Sequence, residues 1–190
     1  MHINSNHVAV MLAEVLTWLC PKAKGRYLDA TLGLGGHTKA ILSATQGEAE
    51  ILALDQDSQT LDLARKALTQ YGENLYLRHC AFSNFSLYLQ ELGWGAIDGA
   101  LLDLGVSSVH LDTAERGFSF LSQGPLDMRM NTADNDLTAY KIVNFYSFDK
   151  LKKIIREYGE EPLAGRIAAR IIEKREESTL KSTLDLAKLV

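Results

Sequence analysis

The chain has 190 residues, enough for one domain or for a domain with a small appendage. With 46% hydrophobic and 23% charged residues it is an ordinary globular sequence, which excludes the disordered class. No apolar run approaches the ~18 residues of a membrane span, and the first residues lack the basic-then-apolar pattern of a secretion signal, so a cytoplasmic protein without membrane contact is expected.

The net charge of -4 argues against broad, non-specific nucleic-acid binding. Residues 140–175 nevertheless carry nine Lys and Arg against five Asp and Glu, which leaves the remainder at -8, so a local basic face is compatible with an acidic chain.

Taken in order, Asn6 is placed to cap a helix from His7 to Cys20, with Val8, Met11, Leu12, Val15 and Leu19 at helical spacing and Pro21 as its stop. A short apolar strand then ends in Asp29 and passes into a turn with glycines at 33, 35 and 36, where a ligand can approach bare backbone. The glycines do not match the strict G-x-G-x-x-G of dinucleotide binders, because Gly36, His37 and Thr38 follow Gly35 at once. A helix from His37 to about Ser43 comes next, and its first turn offers unpaired N–H groups to ligand acceptors. Ile51 to Asp55 reads as a second buried strand, ending in a carboxylate placed to take both hydroxyls of a ribose.

Asp57 or Ser58 caps the following helix, with Leu61, Ala64 and Leu68 on one face and Tyr71-Gly72 at its end. Residues 74–79 form a third strand, and Phe82 just beyond it either fills the core or lines a flat adenine ring. A short helix to Leu92 leads to the strand Gly99 to Asp103, whose last residue is a third strand-end carboxylate. The β-α-β-α-β-α-β order predicts a parallel sheet with helices on both faces. Three strands ending in Asp, the first followed by glycines, point to one crevice along the carboxyl ends of that sheet. Cys20 and Cys80 lack ligand or C-x-x-C spacing and are expected to be buried structural thiols, and no metal is expected.

From Leu104 to Asp136 the periodicity is lost, as in a functional loop. Helical patterns return over 137–146, 148–158 and 161–175, with a last one after Ser182. Arg166, Arg170 and Lys174 stand on one face opposite Ile167, Ile171 and Ile172, either as a solvated polar face or as an RNA backbone contact.

Several motifs act together: His7-Val8 with Glu14-Val15, Asp29-Ala-Thr-Leu-Gly with Gly35-Gly-His37, Asp55-Gln-Asp57, Asp103-Leu-Gly-Val-Ser-Ser108, Arg116-Gly-Phe-Ser-Phe120, Gly124-Pro-Leu-Asp-Met-Arg-Met130 and Arg156-Glu-Tyr-Gly-Glu-Glu161. In combination they resemble the bacterial MraW family, the ribosomal RNA small-subunit methyltransferases H, over nearly the whole chain. The resemblance implies an α/β, Rossmann-like (class I) S-adenosylmethionine-dependent methyltransferase sheet with an inserted α-helical domain. It divides the chain into a methyltransferase core over 1–112, a loop bordering the active site over 113–136 and a helical insert for RNA recognition over 137–190. The implied activity is methylation of N4 of a cytidine in the decoding region of 16S rRNA. S-adenosylmethionine is the implied cofactor, 16S rRNA or the small ribosomal subunit the partner, and a homodimer stands beside the monomer as an open state.

By the same resemblance Gly35, Gly36 and His37 border the cofactor's amino-acid portion, Asp55 holds the ribose, Phe82 lies on the adenine side and Asp103 by the sulfonium end. His110 takes a cofactor-contact position, where this chain has Val109-His110 and the family has Pro-Gln. For the chemistry, Asp103 and the loop bearing Ser107 and Ser108 are candidates to accept the amino protons of the target base, with backbone carbonyls as equal contenders. Family members return after the helical segment to complete the sheet, so the chain reads as truncated at its C-terminus, either a fragment or a shortened homologue. The alternatives are a cofactor- or RNA-binding fragment without activity and an NAD-dependent oxidoreductase. The latter shares the sheet and the ribose carboxylate, but wants room and donors for a pyrophosphate that the crowded Gly35-Gly36-His37 turn does not suit.

Overall fold

The computed structural model describes residues 9–190, and the chain divides into two compact units, Met1–Gly105 and Val106–Val190. The first is built on four parallel strands, β1 (Arg26–Asp29), β2 (Glu50–Asp55), β3 (Leu75–His79) and β4 (Gly99–Leu101), in the order β3-β2-β1-β4. Around them lie α1 (Leu12–Leu19), α2 (Gly36–Ala44), α3 (Ser58–Ala67) and α4 (Phe85–Glu91).

The period-two alternation of the strands sorts the core into two layers. Tyr27, Ile51 and Ala53 face Ile41 and Leu42 of α2 and Leu61 and Ala64 of α3, with Leu16 and Leu19 of α1 packed on the same cluster. Leu28, Leu52 and Leu54 face the other way, with Trp94 and, from α4, Tyr88 and Leu89. Trp94 meets Tyr76 edge to face at 5.6 Å and takes the Arg26 guanidinium over its ring at 5.4 Å. Leu52 and Leu54 are fully buried, so truncating either to Ala removes about 2–5 kcal/mol of stability.

Several expectations shift in detail. The first helix begins at Leu12, not His7, because Met11 takes a left-handed conformation with φ 52° that cannot continue a helix; Asn6, His7 and Val8 lie outside the described residues. Cys20, expected to be buried, is exposed, since α1 lies on the surface with no residue fully buried and Cys20 closes it in a left-handed turn; Trp18 on the same helix is 87% exposed. Cys80 is half-buried. The helix capped by Asp57 stops at Ala67, and a separate 3-10 turn at Thr69–Asn74 reaches Tyr71-Gly72. β4 ends at Leu101, so Asp103 stands two residues beyond it.

The second unit contains α5 (Ser108–Asp112), α6 (Ala139–Phe145), α7 (Phe148–Glu157), α8 (Ala164–Glu177) and α9 (Thr183–Ala187). Its core joins Val143, Leu151, Ala168 and Ile171 from the helices to Leu126 and Leu180 from the segments between them. The aperiodic stretch is held by backbone contacts that only glycine permits. A Cβ on Gly117, whose φ is +72°, would overlap the carbonyl oxygen of Pro125, and one on Gly124 would overlap that of Ala114. Pro125 in turn bridges to Ser182 just before α9, and the Thr183 N–H donates to the Gly124 carbonyl at 2.9 Å. No helix among the described residues is long and apolar enough to cross a membrane.

Candidate functional site

The turn after β1 is pinned from both sides of the sheet. Toward β2, the Leu32 N–H donates to the Leu54 carbonyl at 2.8 Å, and the Gly33 N–H donates to Asp55 Oδ2 at 2.8 Å. Toward β4, the Ala30 N–H donates to the Leu101 carbonyl at 2.9 Å, and the Asp103 N–H donates to Thr31 Oγ1 at 2.7 Å. The turn is anchored below by Asp29, which accepts the Thr38 hydroxyl at 2.7 Å and the Thr31 N–H at 3.2 Å. Burial pushes the Asp29 carboxyl above the ordinary carboxylate range, while those two donors and nearby His37 pull it down.

Asp55 therefore faces inward as well as outward. Its Oδ1 accepts the Asp57 N–H at 2.8 Å, so each carboxylate oxygen holds a backbone donor. Asp57 caps α3 by accepting the N–H groups of Gln59 and Thr60.

The glycines differ in what they do. At Gly33, φ is +56° and an added Cβ would meet nothing within 4 Å among the described residues, which leave open space against its backbone. At Gly35, φ is +81° and a Cβ would come within 2.7 Å of Leu68 Cδ1, a residue of the buried core. A Cβ on Gly36 would meet that of Ala9 at 2.9 Å. His37 is buried in the first turn of α2, and its Nε2 lies 2.9 Å from the Val10 carbonyl, which can only accept; the ring is thus the Nε2–H tautomer at that contact. What His37 can offer a ligand is its backbone at the start of α2.

Phe82 is 43% exposed in a 3-10 turn just beyond the carboxyl end of β3. The carboxylate of Asp103 is exposed and takes no hydrogen bond among the described residues. Asp29, Gly33, Asp55, Phe82 and Asp103 thus all lie at or just beyond the carboxyl ends of parallel strands in the first unit.

Ser107, Ser108 and His110 belong to the second unit. Ser107 caps α5, accepting from the His110 N–H at 3.4 Å, while its own N–H donates to His110 Nδ1 at 3.1 Å. The His110 ring is buried and lies 4.9 Å from that of Phe118. Arg116 is buried too, donating to the carbonyls of Arg129 and Met130. Arg129 grips Asp127 through two nitrogens at 2.8 and 2.7 Å and holds that carboxyl below the usual range. Of the cations on α8, Lys174 pairs with Glu177 at 2.9 Å, Arg170 donates to the Leu189 carbonyl at 3.3 Å, and Arg166 is exposed without a side-chain partner among the described residues.

A parallel sheet in this order, with a glycine turn opening from its first strand and carboxylates after its strand ends, is the doubly wound, Rossmann-like scaffold on which class I methyltransferases are built. The chain belongs to the MraW methylase family, whose model matches residues 4–190. It is 52% identical over 184 residues to the ribosomal RNA small subunit methyltransferase H of Maridesulfovibrio salexigens, covering 97% of this chain and 57% of that protein. The protein of the same name from Desulfovibrio desulfuricans is 52% identical over 186 residues, covering 98% of this chain and 57% of that one. For the one from Lawsonia intracellularis the identity is 50% over 184 residues, with 97% and 59% covered. The chain thus spans between 57% and 59% of the length of these curated relatives.

Proposed function

We propose that the chain serves an S-adenosylmethionine-dependent methyltransferase that modifies N4 of a cytidine in the decoding region of 16S rRNA, presented as free RNA or in the small ribosomal subunit. The observation that carries the reading is the room at Gly33: a turn clamped between Asp55 and the Asp103 main chain leaves its backbone facing open space, as a cofactor's approach requires. Family membership and the names of the relatives supply the reaction class and the RNA.

In this reading Gly35, Gly36 and the backbone of His37 border the amino-acid portion of the cofactor. Asp55 takes the ribose hydroxyls, Phe82 lies along the adenine and Asp103 stands by the sulfonium end, with His110 as a further candidate contact. The bound cofactor supplies an activated methyl group, open to in-line displacement. The chain's own part is to position the amine. The lone pair of cytosine N4 is delocalised into the ring, and an acceptor on the amino hydrogens localises it; the exposed Asp103 carboxylate, Ser107, Ser108 and backbone carbonyls are the candidate acceptors. The base must arrive unstacked, so the 104–136 segment is assigned to the base pocket and exposed cations such as Arg166 to the RNA backbone.

Titration calorimetry with S-adenosylmethionine and, in parallel, NAD tests the cofactor assignment: binding of the first alone supports it, and binding of NAD alone overturns it. Transfer of labelled methyl to 16S rRNA or small subunits, followed by mass spectrometry of the digested RNA, locates the product. Asp103→Ala should abolish transfer in this assay, and retained transfer would remove Asp103 from its role.

A further inference from the structure

The parallel ladder between β1 and β4 does not simply stop. Its last main-chain bond runs from the Ala30 N–H to the Leu101 carbonyl; the next donor on the β4 side, the Asp103 N–H, finds the hydroxyl oxygen of Thr31 at 2.7 Å. A side chain has taken the place of a carbonyl. Thr31 is itself oriented by the Asp29 carboxylate, which accepts its N–H at 3.2 Å, and Asp29 is fully buried and held again by Thr38 at 2.7 Å. The three residues form one chain of bonds from the sheet interior to the rim of the crevice. Beyond Asp103, the N–H groups of Leu104 and Gly105 make no hydrogen bond among the described residues, so the Thr31 contact is the final anchor of the chain as it leaves β4 within this unit.

We propose that Thr31 is a positioning residue: through its Oγ1 it fixes the main chain of Asp103, and so the place from which the Asp103 carboxylate meets its ligand. The β-branched side chain suits this task, because its χ1 is restricted and the oxygen is held ready. Asp29 acts one step further back, by fixing the Thr31 backbone. The catalytic consequence rests on the methyltransferase reading above; the anchoring itself does not.

Amide hydrogen exchange resolved to single residues tests the anchor directly. In the wild-type protein the Asp103 amide should exchange about fivefold to tenfold more slowly than those of Leu104 and Gly105, after correction for intrinsic rates, as one net hydrogen bond allows. Thr31→Val, which keeps the branched shape but removes the acceptor, should abolish that difference, and Thr31→Ser should restore it. Equal exchange at the three amides in the wild type overturns the proposal even if Thr31→Val does not fold. In methyl transfer, Thr31→Val should lower kcat about tenfold with little change in KM for RNA, with recovery in Thr31→Ser. A serine variant as impaired as the valine one would make Thr31 a packing residue and overturn the proposal. If the wild type binds no S-adenosylmethionine, the exchange arm still decides the anchor while the methyltransferase reading alone fails.

Discussion

Asp55, at the end of β2, reaches across to the turn after β1 and accepts the Gly33 N–H at 2.8 Å. The carboxylate proposed to hold the ribose is thereby also the clamp that shapes the loop after β1. Asp55→Ala should lose both functions. Leaving the Gly33 and Asp57 N–H groups without their charged acceptor should lower stability by about 2 kcal/mol in urea unfolding. The stabilisation that S-adenosylmethionine adds to the wild type should vanish in the same titration.

Gly33 and Gly35 separate pocket from core. Gly33→Ala adds a methyl group to open space at a positive φ, so its stability should fall by only about 1 kcal/mol while affinity for the cofactor drops at least tenfold. Gly35→Ala drives a Cβ toward the buried Leu68 and should unfold first, its affinity falling together with its stability. Calorimetry beside thermal unfolding distinguishes the two patterns, and equal effects at both positions would refute the division of roles.

Gly117 and Gly124 lock the two motifs of the second unit backbone to backbone. Gly117→Ala should cost about 4 kcal/mol or more, since the carbonyl of Pro125 cannot withdraw without breaking the contacts around Leu126. Gly72→Ala, where φ is ordinary and a Cβ meets nothing, is the control and should be close to neutral in the same denaturation curves.

Two carboxylates give the units opposite responses to pH. Arg129 holds Asp127 below the ordinary carboxylate range, so its contribution is complete above about pH 4 and is lost as pH falls through the depressed folded value. Burial raises Asp29, so its contribution is complete below about pH 4 and is lost as pH rises through the raised folded value. Asp127→Asn should therefore flatten the acid limb of stability against pH in the second unit. Asp29→Asn should remove a decline toward neutrality in the first, with residue-level exchange reporting each unit.

The elements that position the crevice were legible because their signals are local. Apolar runs ending in Asp29 and Asp55, the glycines between them and the capping Asp57 each state a strand end, a turn or a helix start. What escaped was the second partner of each polar group. A carboxylate at a strand end reads the same whether it points at a ribose or at the Gly33 N–H, and nothing in Thr31 announces that its hydroxyl stands in for a ladder carbonyl. The short helix α5 was missed for a related reason. Its cap at Ser107 is answered three residues on by His110, whose ring nitrogen does the work that a glutamate or glutamine does in the usual capping pattern. The exposure of Cys20 followed from the left-handed close of α1, a conformation that the apolar neighbours in the sequence conceal.

Both tryptophans of the chain, Trp18 and Trp94, belong to the sheet unit, and the helical unit has none. Indole emission is therefore a private channel for the sheet. Trp18 already lies in water, so a red shift on denaturation would come from Trp94 leaving its place between Tyr76 and the Arg26 guanidinium. The helical unit is silent there, whereas far-ultraviolet ellipticity reports the helices of both units. Recording the two signals from one cuvette would show whether the units melt as a single cooperative body or one after the other.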